Sequence, residues 1–160
     1  MRAADQFHIG IVAADVAATT AALSQVLGYE WGVETGGPLT VVSSSSGEQA
    51  LDIRCVYSTT VPRVEVIRAV AGTLWEPVSG SGIHHVGYWS DDVAADIAKL
   101  ERTGYTVEAM RPGPGGAPLF AFLNGPNGFR VELLTRAAES GLARCWAAPG
   151  GERQNEGDRG

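Results

Sequence analysis

The feature that most constrains this chain is a stretch that occurs twice. The segment FHIGIVAADVAA at residues 7–18 returns as HHVGYWSDDVAA at residues 84–95. At this spacing of 77 residues, His8 is matched with His85 and Gly10 with Gly87. The two halves also close alike, with VEVI at residues 64–67 and VELL at residues 131–134. The chain is therefore predicted to contain two copies of one module, each opening with a His and closing with a Glu.

Local signals predict the order βαβββ in both modules. Asp15 is expected to cap a helix that ends at Gly28, and Asp91 or Asp92 a helix that runs through Arg102 and ends at Gly104. Apolar and β-branched runs predict the strands. We expect strands at 7–12, 29–33 (followed or extended by 39–42), 50–57, 64–70, 83–89, 105–110, 118–123 and 129–135, with a turn at 36–38.

The domain organisation predicted from these elements has four parts. The first module spans residues 5–71, a Gly/Pro-containing connector 72–82, and the second module 83–136. Residues 137–160 are expected to form a short helix and then a disordered tail, because the end of the chain is Gly-rich and polar.

Charge and composition exclude some function classes. The formal net charge is −6 and no basic run is present, so nucleic acid is not an expected partner. No apolar stretch approaches the length of a membrane span, and residues 1–6 lack the apolar core of a signal peptide. We therefore expect no membrane partner and a cytoplasmic location. Cys55 and Cys145 lack metal-ligand or disulfide spacing and are expected to be free thiols.

The repeated His and Glu residues form a candidate metal-ligand set. A lone His or Glu in a strand is most often structural, but two of the three histidines occupy equivalent repeat positions. If a pseudo-twofold relates the modules, all four side chains point into one concave sheet. Two imidazoles and two carboxylates suit Ni²⁺, Co²⁺, Mn²⁺, Fe²⁺ or Zn²⁺. The glycine two residues after each His is expected to leave room above the sheet, and the parity of a strand predicts that His84 faces away from His85.

These motifs resemble the vicinal oxygen chelate superfamily over roughly residues 5–136. That superfamily includes glyoxalase I, methylmalonyl-CoA epimerase, extradiol dioxygenases, fosfomycin-resistance enzymes and bleomycin-resistance proteins. The resemblance implies an α+β fold in which two tandem βαβββ modules form a cupped mixed sheet around a divalent metal. By the matching motifs, the metal ligands would be His8, Glu65, His85 and Glu132.

The ligand set narrows the activities that the resemblance implies. A fourth protein ligand argues against dioxygenases and fosfomycin-type enzymes, which use three, and the bleomycin-binding branch typically lacks the metal set. Glyoxalase I and the epimerase remain, and both abstract a proton next to a carbonyl. We favour an epimerase or isomerase acting on a small molecule through a metal-bound enolate. The alternatives are a lactoylglutathione lyase, or a metal-free small-molecule binding protein on the same scaffold.

Epimerisation needs a base on each face of the carbanion. Glu132 is the first candidate, and Asp52 the second, because methylmalonyl-CoA epimerases carry an acid on the corresponding strand in a similar context. Asp52 is shorter than that acid and could instead be a surface residue paired with Arg54 or Arg63; Glu48 is a further candidate for the second base.

Substrate-binding residues are predicted by position only. Candidates to bind a CoA phosphate are Arg54, Arg63, Arg111 and Arg130, whereas a pocket floored by Trp89, Tyr88 or Phe122 would suit a larger apolar substrate. A homodimer is expected by analogy. The sequence leaves open whether the site forms within one chain or across that dimer.

Overall fold

A computed structural model describes residues 1–147 of the chain. In both halves a strand is followed by a helix and three further strands, as predicted. The elements are β1 Gln6–Ala13, α1 Val16–Leu27, β2 Thr35–Ser43, β3 Gly47–Tyr57, β4 Val64–Arg68, β5 Ile83–Ser90, α2 Val93–Glu101, β6 Thr106–Pro112, β7 Pro118–Asn124, β8 Arg130–Thr135 and α3 Glu139–Ala147. The tail predicted to be disordered, from residue 149 onward, lies outside the described residues.

The sheet brings each His strand beside its Glu strand. Its order is β1-β4-β3-β2-β6-β7-β8-β5, closed into a barrel by the antiparallel pairing of β1 with β5. β1 pairs in parallel with β4, which carries Glu65, and β5 pairs in parallel with β8, which carries Glu132. The mixed sheet with a few helices confirms the predicted α+β fold. All four predicted ligands therefore lie on four neighbouring strands of a single chain.

The two halves meet again at a short seam opposite the His strands. Only Val42 and Ser43 of β2 are paired with β6, opposite Met110 and Ala109. The remainder of β2, residues 35–41, is paired with β3 alone. The barrel therefore opens beyond the seam, between β2 and the strands β6 and β7.

Equivalent caps start the two helices. The carboxylate of Asp15 accepts a hydrogen bond from the Ala18 amide at 2.9 Å, and that of Asp92 accepts one from the Ala95 amide at 3.0 Å. Gly28 follows α1 with a φ of 74°, a left-handed conformation that glycine adopts without strain. The predicted helix signals are thus confirmed in both halves.

Two predictions in the first half are wrong. Residues 29–33 form no strand but a single bridge between Trp31 and Ser58, and the Trp31 indole donates to the carbonyl of Thr20 at 3.2 Å. Residues 36–38 are not a turn but part of β2. Pro38 is tolerated there because that part of β2 is an edge, where the missing N–H removes no ladder bond to a second neighbour.

The connector between the halves enters the barrel. Trp75 is only 2% exposed and packs edge-on against Phe122, with ring centroids 5.5 Å apart. The amide of Val70 donates to the carbonyl of Trp75 at 2.8 Å, which fixes the loop that carries the indole. The connector thus supplies part of the core at the place where the two halves meet. Among residues 1–147, no helix has both the length and the apolarity that a membrane span requires.

Candidate active site

Four buried side chains converge at the centre of the barrel. His8 and His85 point their Nε2 atoms at each other across 2.9 Å. The Oε2 atoms of Glu65 and Glu132 lie 3.2 Å from the Nε2 atom of His8, and 3.3 and 3.4 Å from that of His85. One ligand atom from each of the four residues lies within 4.8 Å of all the others. We call these residues the quartet.

Strand register explains why the quartet assembles. In the antiparallel pair β1–β5, His8 lies opposite Gly87, and Gly10 lies opposite His85. A Cβ atom on Gly10 would lie 1.9 Å from Cε1 of His85, and one on Gly87 would lie 2.0 Å from Cε1 of His8. Each glycine therefore makes room for the imidazole of the other module. The space above these glycines, predicted from the sequence to hold a metal and substrate, is occupied by the histidine rings.

The distances within the quartet fit a single metal ion. Two donor atoms bound at about 2.1 Å to one ion are ~3.0 Å apart at a right angle and ~3.4 Å apart at a tetrahedral angle. The Oε2 atoms of Glu65 and Glu132 are buried and make no hydrogen bond with any described residue, although both lie within ion-pair distance of the imidazoles. Buried acceptors without donors are costly, and a shared cation would satisfy both. The donor set therefore suits a borderline divalent ion.

Mutual electrostatics hold the quartet charged. Burial is the largest effect on the pKa of His8 and lowers it, but the carboxylates of Glu65 and Glu132 outweigh burial and raise the pKa to about 9. The pKa of His85 is raised by the same balance. Burial alone would raise the pKa values of Glu65 and Glu132, yet the two imidazoles hold both below their usual values. Two protons on the imidazoles can therefore take the place of a divalent ion.

His84 contacts the quartet from behind. Its Nδ1 atom lies 3.0 Å from Nδ1 of His85, and its Nε2 atom lies 2.9 Å from the carbonyl oxygen of Leu74 in the connector. Burial and the neighbouring His85 lower the pKa of His84 to about 4, so its ring is neutral. A carbonyl only accepts, so Nε2 of His84 carries the proton, and Nδ1 of His84 accepts from Nδ1–H of His85. The expectation that His84 faces away is wrong, since β1 and β5 shift register between Gly10 and Ile11.

Asp52 and Glu48 lie outside the site. On β3, Ile53 and Cys55 face the barrel interior, so the alternation of the strand puts Asp52 on the outer face. The Asp52 carboxylate is 51% exposed and accepts from Nε of Arg54 at 3.0 Å. Glu48 is exposed near the hairpin between β2 and β3. The structure therefore contradicts the assignment of either residue as a second base, and supports the surface ion pair considered for Asp52.

A cavity of about 240 Å³ extends from the two quartet carboxylates towards the opening of the barrel. Its walls are mainly apolar, with Leu39, Ile53, Ile67, Trp75, Phe120 and Leu134 among them. Among the described residues, its ionisable lining is limited to Cys55, Tyr57, Glu65, Arg111 and Glu132. Ala138 and Leu142 reach the cavity from the C-terminal segment that contains α3. The carboxylates of the quartet thus lie at one end of an apolar cavity.

Similarity to known proteins agrees with this geometry. The family model of the Glyoxalase/Bleomycin resistance protein/Dioxygenase superfamily matches residues 7–122. The chain belongs to this superfamily. The match spans three members of the quartet, His8, Glu65 and His85, and ends before Glu132.

The individual relatives that the chain matches are distant. The chain is 39% identical to a probable chloroplastic lactoylglutathione lyase of Arabidopsis thaliana over 59 residues, which cover 36% of this chain and only 17% of that protein. It is 29% identical to the uncharacterized protein YaeR of Escherichia coli over 129 residues, covering 79% of this chain and 92% of YaeR.

Solved structures of the same fold include methylmalonyl-CoA epimerases. A single-residue variant of the Streptomyces coelicolor enzyme, in complex with 2-nitronate-propionyl-CoA, aligns with a TM-score of 0.56 at 23% identity and covers 84% of this chain and 98% of its own. The Mycobacterium tuberculosis enzyme aligns with a TM-score of 0.55 at 17% identity over 86% of this chain and 91% of its own. At these identities the likeness concerns the fold.

Sequence motifs did not point to several of the residues that line the cavity. Trp75 comes from the connector, and Leu142 from beyond the repeat, so neither belongs to a recurring motif. Tyr57 could have been found from pairing, because it lies opposite Glu65 on the adjacent strand. Of the aromatic residues predicted to floor a pocket, only Phe122 lines the cavity. Trp89 instead stacks on Phe7, with ring centroids 3.8 Å apart, and Tyr88 packs beside α2.

Proposed function

We propose that this protein is a divalent-metal-dependent enzyme that abstracts a proton next to a carbonyl, and that it acts as an epimerase or isomerase. The observation that carries this proposal is the position of Glu65 and Glu132. Their Oε2 atoms are two of the four candidate ligand atoms of the quartet. Among the described residues, Glu65 and Glu132 are also the two carboxylate side chains that line the cavity. A carbon acid held in the cavity would therefore meet both a metal site and a base.

The proposed metal ligands are His8, Glu65, His85 and Glu132. When bound, a divalent ion would supply a Lewis acid for the negative charge that develops on the substrate oxygen. His8 and His85 would be neutral and would hold the ion without taking part in proton transfer. The identity of the ion stays open among Ni²⁺, Co²⁺, Mn²⁺, Fe²⁺ and Zn²⁺.

The proposed proton acceptor is Glu132, whose lowered pKa keeps it ionised at neutral pH. It would take the proton from the carbon next to the carbonyl and leave an enolate. Since Asp52 is on the outer face, Glu65 replaces it as the proposed second base. In an epimerisation it would acquire a proton from solvent before the substrate binds and deliver that proton to the other face, and Glu132 would lose the abstracted proton to solvent after product release. The apolar walls of the cavity would exclude water from the enolate.

A lactoylglutathione lyase activity is the second candidate. One observation favours it: both candidate bases belong to the quartet. Among the described residues that line the cavity, no further carboxylate could act as a base independent of the metal site. The short match to the Arabidopsis lyase agrees with this candidate. The proposed epimerase activity draws comparable support from a fold shared with methylmalonyl-CoA epimerases. A homodimer and a cytoplasmic location are retained as proposals.

The deciding experiment measures metal content and proton exchange together. The purified protein, reconstituted with each candidate ion, should hold about one metal ion per chain by elemental mass spectrometry. His85→Ala should lose that metal. The loaded protein is then incubated in D₂O with 2-methyl-branched acyl-CoA esters and, separately, with hemithioacetals of glutathione.

The outcomes separate the candidates. Deuterium at the 2-position of an acyl-CoA supports the epimerase, whereas conversion of a hemithioacetal to a thioester supports the lyase. A folded wild type that takes up none of the ions would contradict both enzymes and favour a metal-free binding protein.

A further inference from the structure

Arg111 is the one arginine among the described residues that lines the cavity. Position in the sequence makes it one of four arginine candidates to bind a CoA phosphate. The other three are engaged elsewhere: Arg54 with Asp52, Arg63 with the carbonyl of Ser58, and Arg130 with Glu108. The side chain of Arg111 makes no ion pair or hydrogen bond with any residue in 1–147, and the residue is partly buried. A partly buried guanidinium without an anion is a candidate ligand-binding group.

The register fixes where this guanidinium stands relative to the quartet. Arg111 lies opposite Phe120 on β7, and Phe120 lies opposite Leu134 on β8. Glu132 is two residues before Leu134 and faces the same cavity. Arg111 and Glu132 are therefore separated by two strand spacings across the sheet and by two residues along the strand. Their Cα atoms are on the order of 10–12 Å apart. A small substrate can span this separation.

Arg111 also stands where the barrel opens. It directly follows Met110, the last residue of β6 that is paired with β2. It lines a second cavity of about 270 Å³, beside Leu119 and Thr135, as well as the one that leads to the quartet. The guanidinium is thus at the entrance, and the quartet is at the far end.

The charges in the cavity favour a single anionic group. A divalent ion is neutralised by Glu65 and Glu132, with two neutral imidazoles completing the quartet. Arg111 then leaves one unmatched positive charge at the entrance of the apolar cavity. A carboxylate carries one charge and matches the planar fork of the guanidinium. A phosphate monoester carries about −1.5 to −2 at neutral pH, more than this single cation balances.

We infer that the substrate carries a carboxylate that Arg111 binds at the cavity entrance, while the carbonyl end reaches the quartet. This inference rests on the proposed function, since it places the reacting end of the substrate at the metal site. The substrate class is a short, apolar-bodied acid whose carboxylate is remote from the acidic C–H bond. Arg111 is then a specificity-determining residue and takes no part in proton transfer.

The test compares matched metal-chelating probes by calorimetry with the metal-loaded full chain. Glutaric monohydroxamate presents two adjacent oxygens to the metal and a carboxylate to Arg111. Its terminal carboxamide has the same shape without the charge, and a third probe ends in a phosphate ester on the same spacer. The wild type should bind the carboxylate probe about tenfold more tightly than the carboxamide, as expected for a charge-assisted hydrogen bond.

Two variants complete the design. Arg111→Gln should bind the carboxylate and carboxamide probes equally while holding the same metal content. Arg111→Lys keeps the charge and should retain part of the preference, which covers the case in which the Gln variant folds poorly. Arg102→Gln is the matched control, because Arg102 is exposed at the end of α2 and should leave the preference unchanged.

Each contrary outcome has a distinct meaning. A metal-loaded wild type that binds both probes equally, or an Arg111→Gln variant that keeps the preference, overturns the role of Arg111 but not the proposed function. Tightest binding of the phosphate probe overturns the carboxylate assignment. A wild type that takes up no metal overturns the proposed function and this inference together.

Discussion

The Nδ1 atoms of His84 and His85 lie 3.0 Å apart, and this contact links the connector to the quartet. The chain of hydrogen bonds begins at the carbonyl of Leu74 and passes through the neutral ring of His84. It directs the Nε2 atom of His85 at the other three ligand atoms, so that this atom can bind an ion once its proton is displaced. The second imidazole has no such support, because Nδ1 of His8 is buried without a hydrogen-bond partner among the described residues. The hydrogen bonding of the Nδ1 atom therefore differs between the two equivalent histidines.

His84→Ala should weaken metal binding without removing a ligand. Loss of a hydrogen bond to a metal-bound histidine typically costs 10–100-fold in metal affinity, because ring orientation and tautomer are no longer fixed. His84→Asn can still accept from Nδ1–H of His85 through its amide oxygen and should recover part of that loss. Competition with a chelator measures the affinity. Equal affinities for both variants and the wild type would show that His84 only fills space.

Gly10→Ala and Gly87→Ala should each disrupt the quartet. The new Cβ atom would lie 1.9 Å or 2.0 Å from an imidazole carbon, and the backbone of the paired strand prevents the ring from withdrawing far. Overpacking of this kind costs about 1–3 kcal/mol of folding stability, and we expect metal content to fall as well. Thermal unfolding and elemental analysis measure the two effects.

Gly141→Ala is the control for these glycine variants. It lies in α3, where the nearest atom to a new Cβ is the end of the Arg144 side chain at 3.9 Å. Alanine is a better helix former than glycine, so this variant should keep its metal and lose no stability. If Gly10→Ala and Gly87→Ala behave like this control, the reciprocal packing does not support the site.

The sequence predicted the parts of this fold that are repeated. Because β1 and β5 share one motif, the equivalence of His8 and His85 followed from the repeat, and their approach in space from the assumed pseudo-twofold. Predictions based on single residues did less well. Similarity of sequence context favours Asp52 as a second base, but the alternation of β3 puts its carboxylate on the outer face. The position of His84 depends on a register shift between β1 and β5, and that of Trp75 on an irregular connector. Neither feature produces a periodic pattern in the sequence.

The metal-free protein should lose stability as the pH rises from 6.5 to about 9. The pKa of His8 is about 9 in the fold against 6.5 for a free histidine, and that of His85 is also raised. Their stabilising contribution is therefore complete below pH 6.5 and is lost as the pH rises through the folded pKa. Metal-bound imidazoles carry no such proton, so the loaded protein should lack this decline.

Thermal unfolding across this pH range, with and without metal, measures the effect. The increase in unfolding temperature on adding metal should grow from pH 6.5 to about 9, because fewer protons compete for the imidazoles. A metal-free midpoint that stays constant over this range contradicts the ionic description of the quartet.

Glu132→Gln should stop proton exchange while leaving the fold intact. Glutamine preserves the shape of the side chain but cannot accept a proton at neutral pH, and loss of a general base typically costs about 10²–10⁴-fold in rate. Deuterium incorporation at the substrate carbon measures this step. Because Glu132 is also a proposed ligand, metal content must be determined on the same sample, and only variants loaded to the wild-type level report on the base.

The two exposed acids of β3 are the matched controls for this experiment. Asp52→Asn and Glu48→Gln remove one carboxylate each from outside the cavity, so both should exchange deuterium at the wild-type rate. Glu65→Gln distinguishes one base from two: with two bases, exchange persists at Glu132 while interconversion of the epimers is lost. Unchanged exchange in fully loaded Glu132→Gln would exclude Glu132 as the base. Loss of exchange in Asp52→Asn would instead require the β3 strand to present its outer face to the substrate, contrary to the observed register.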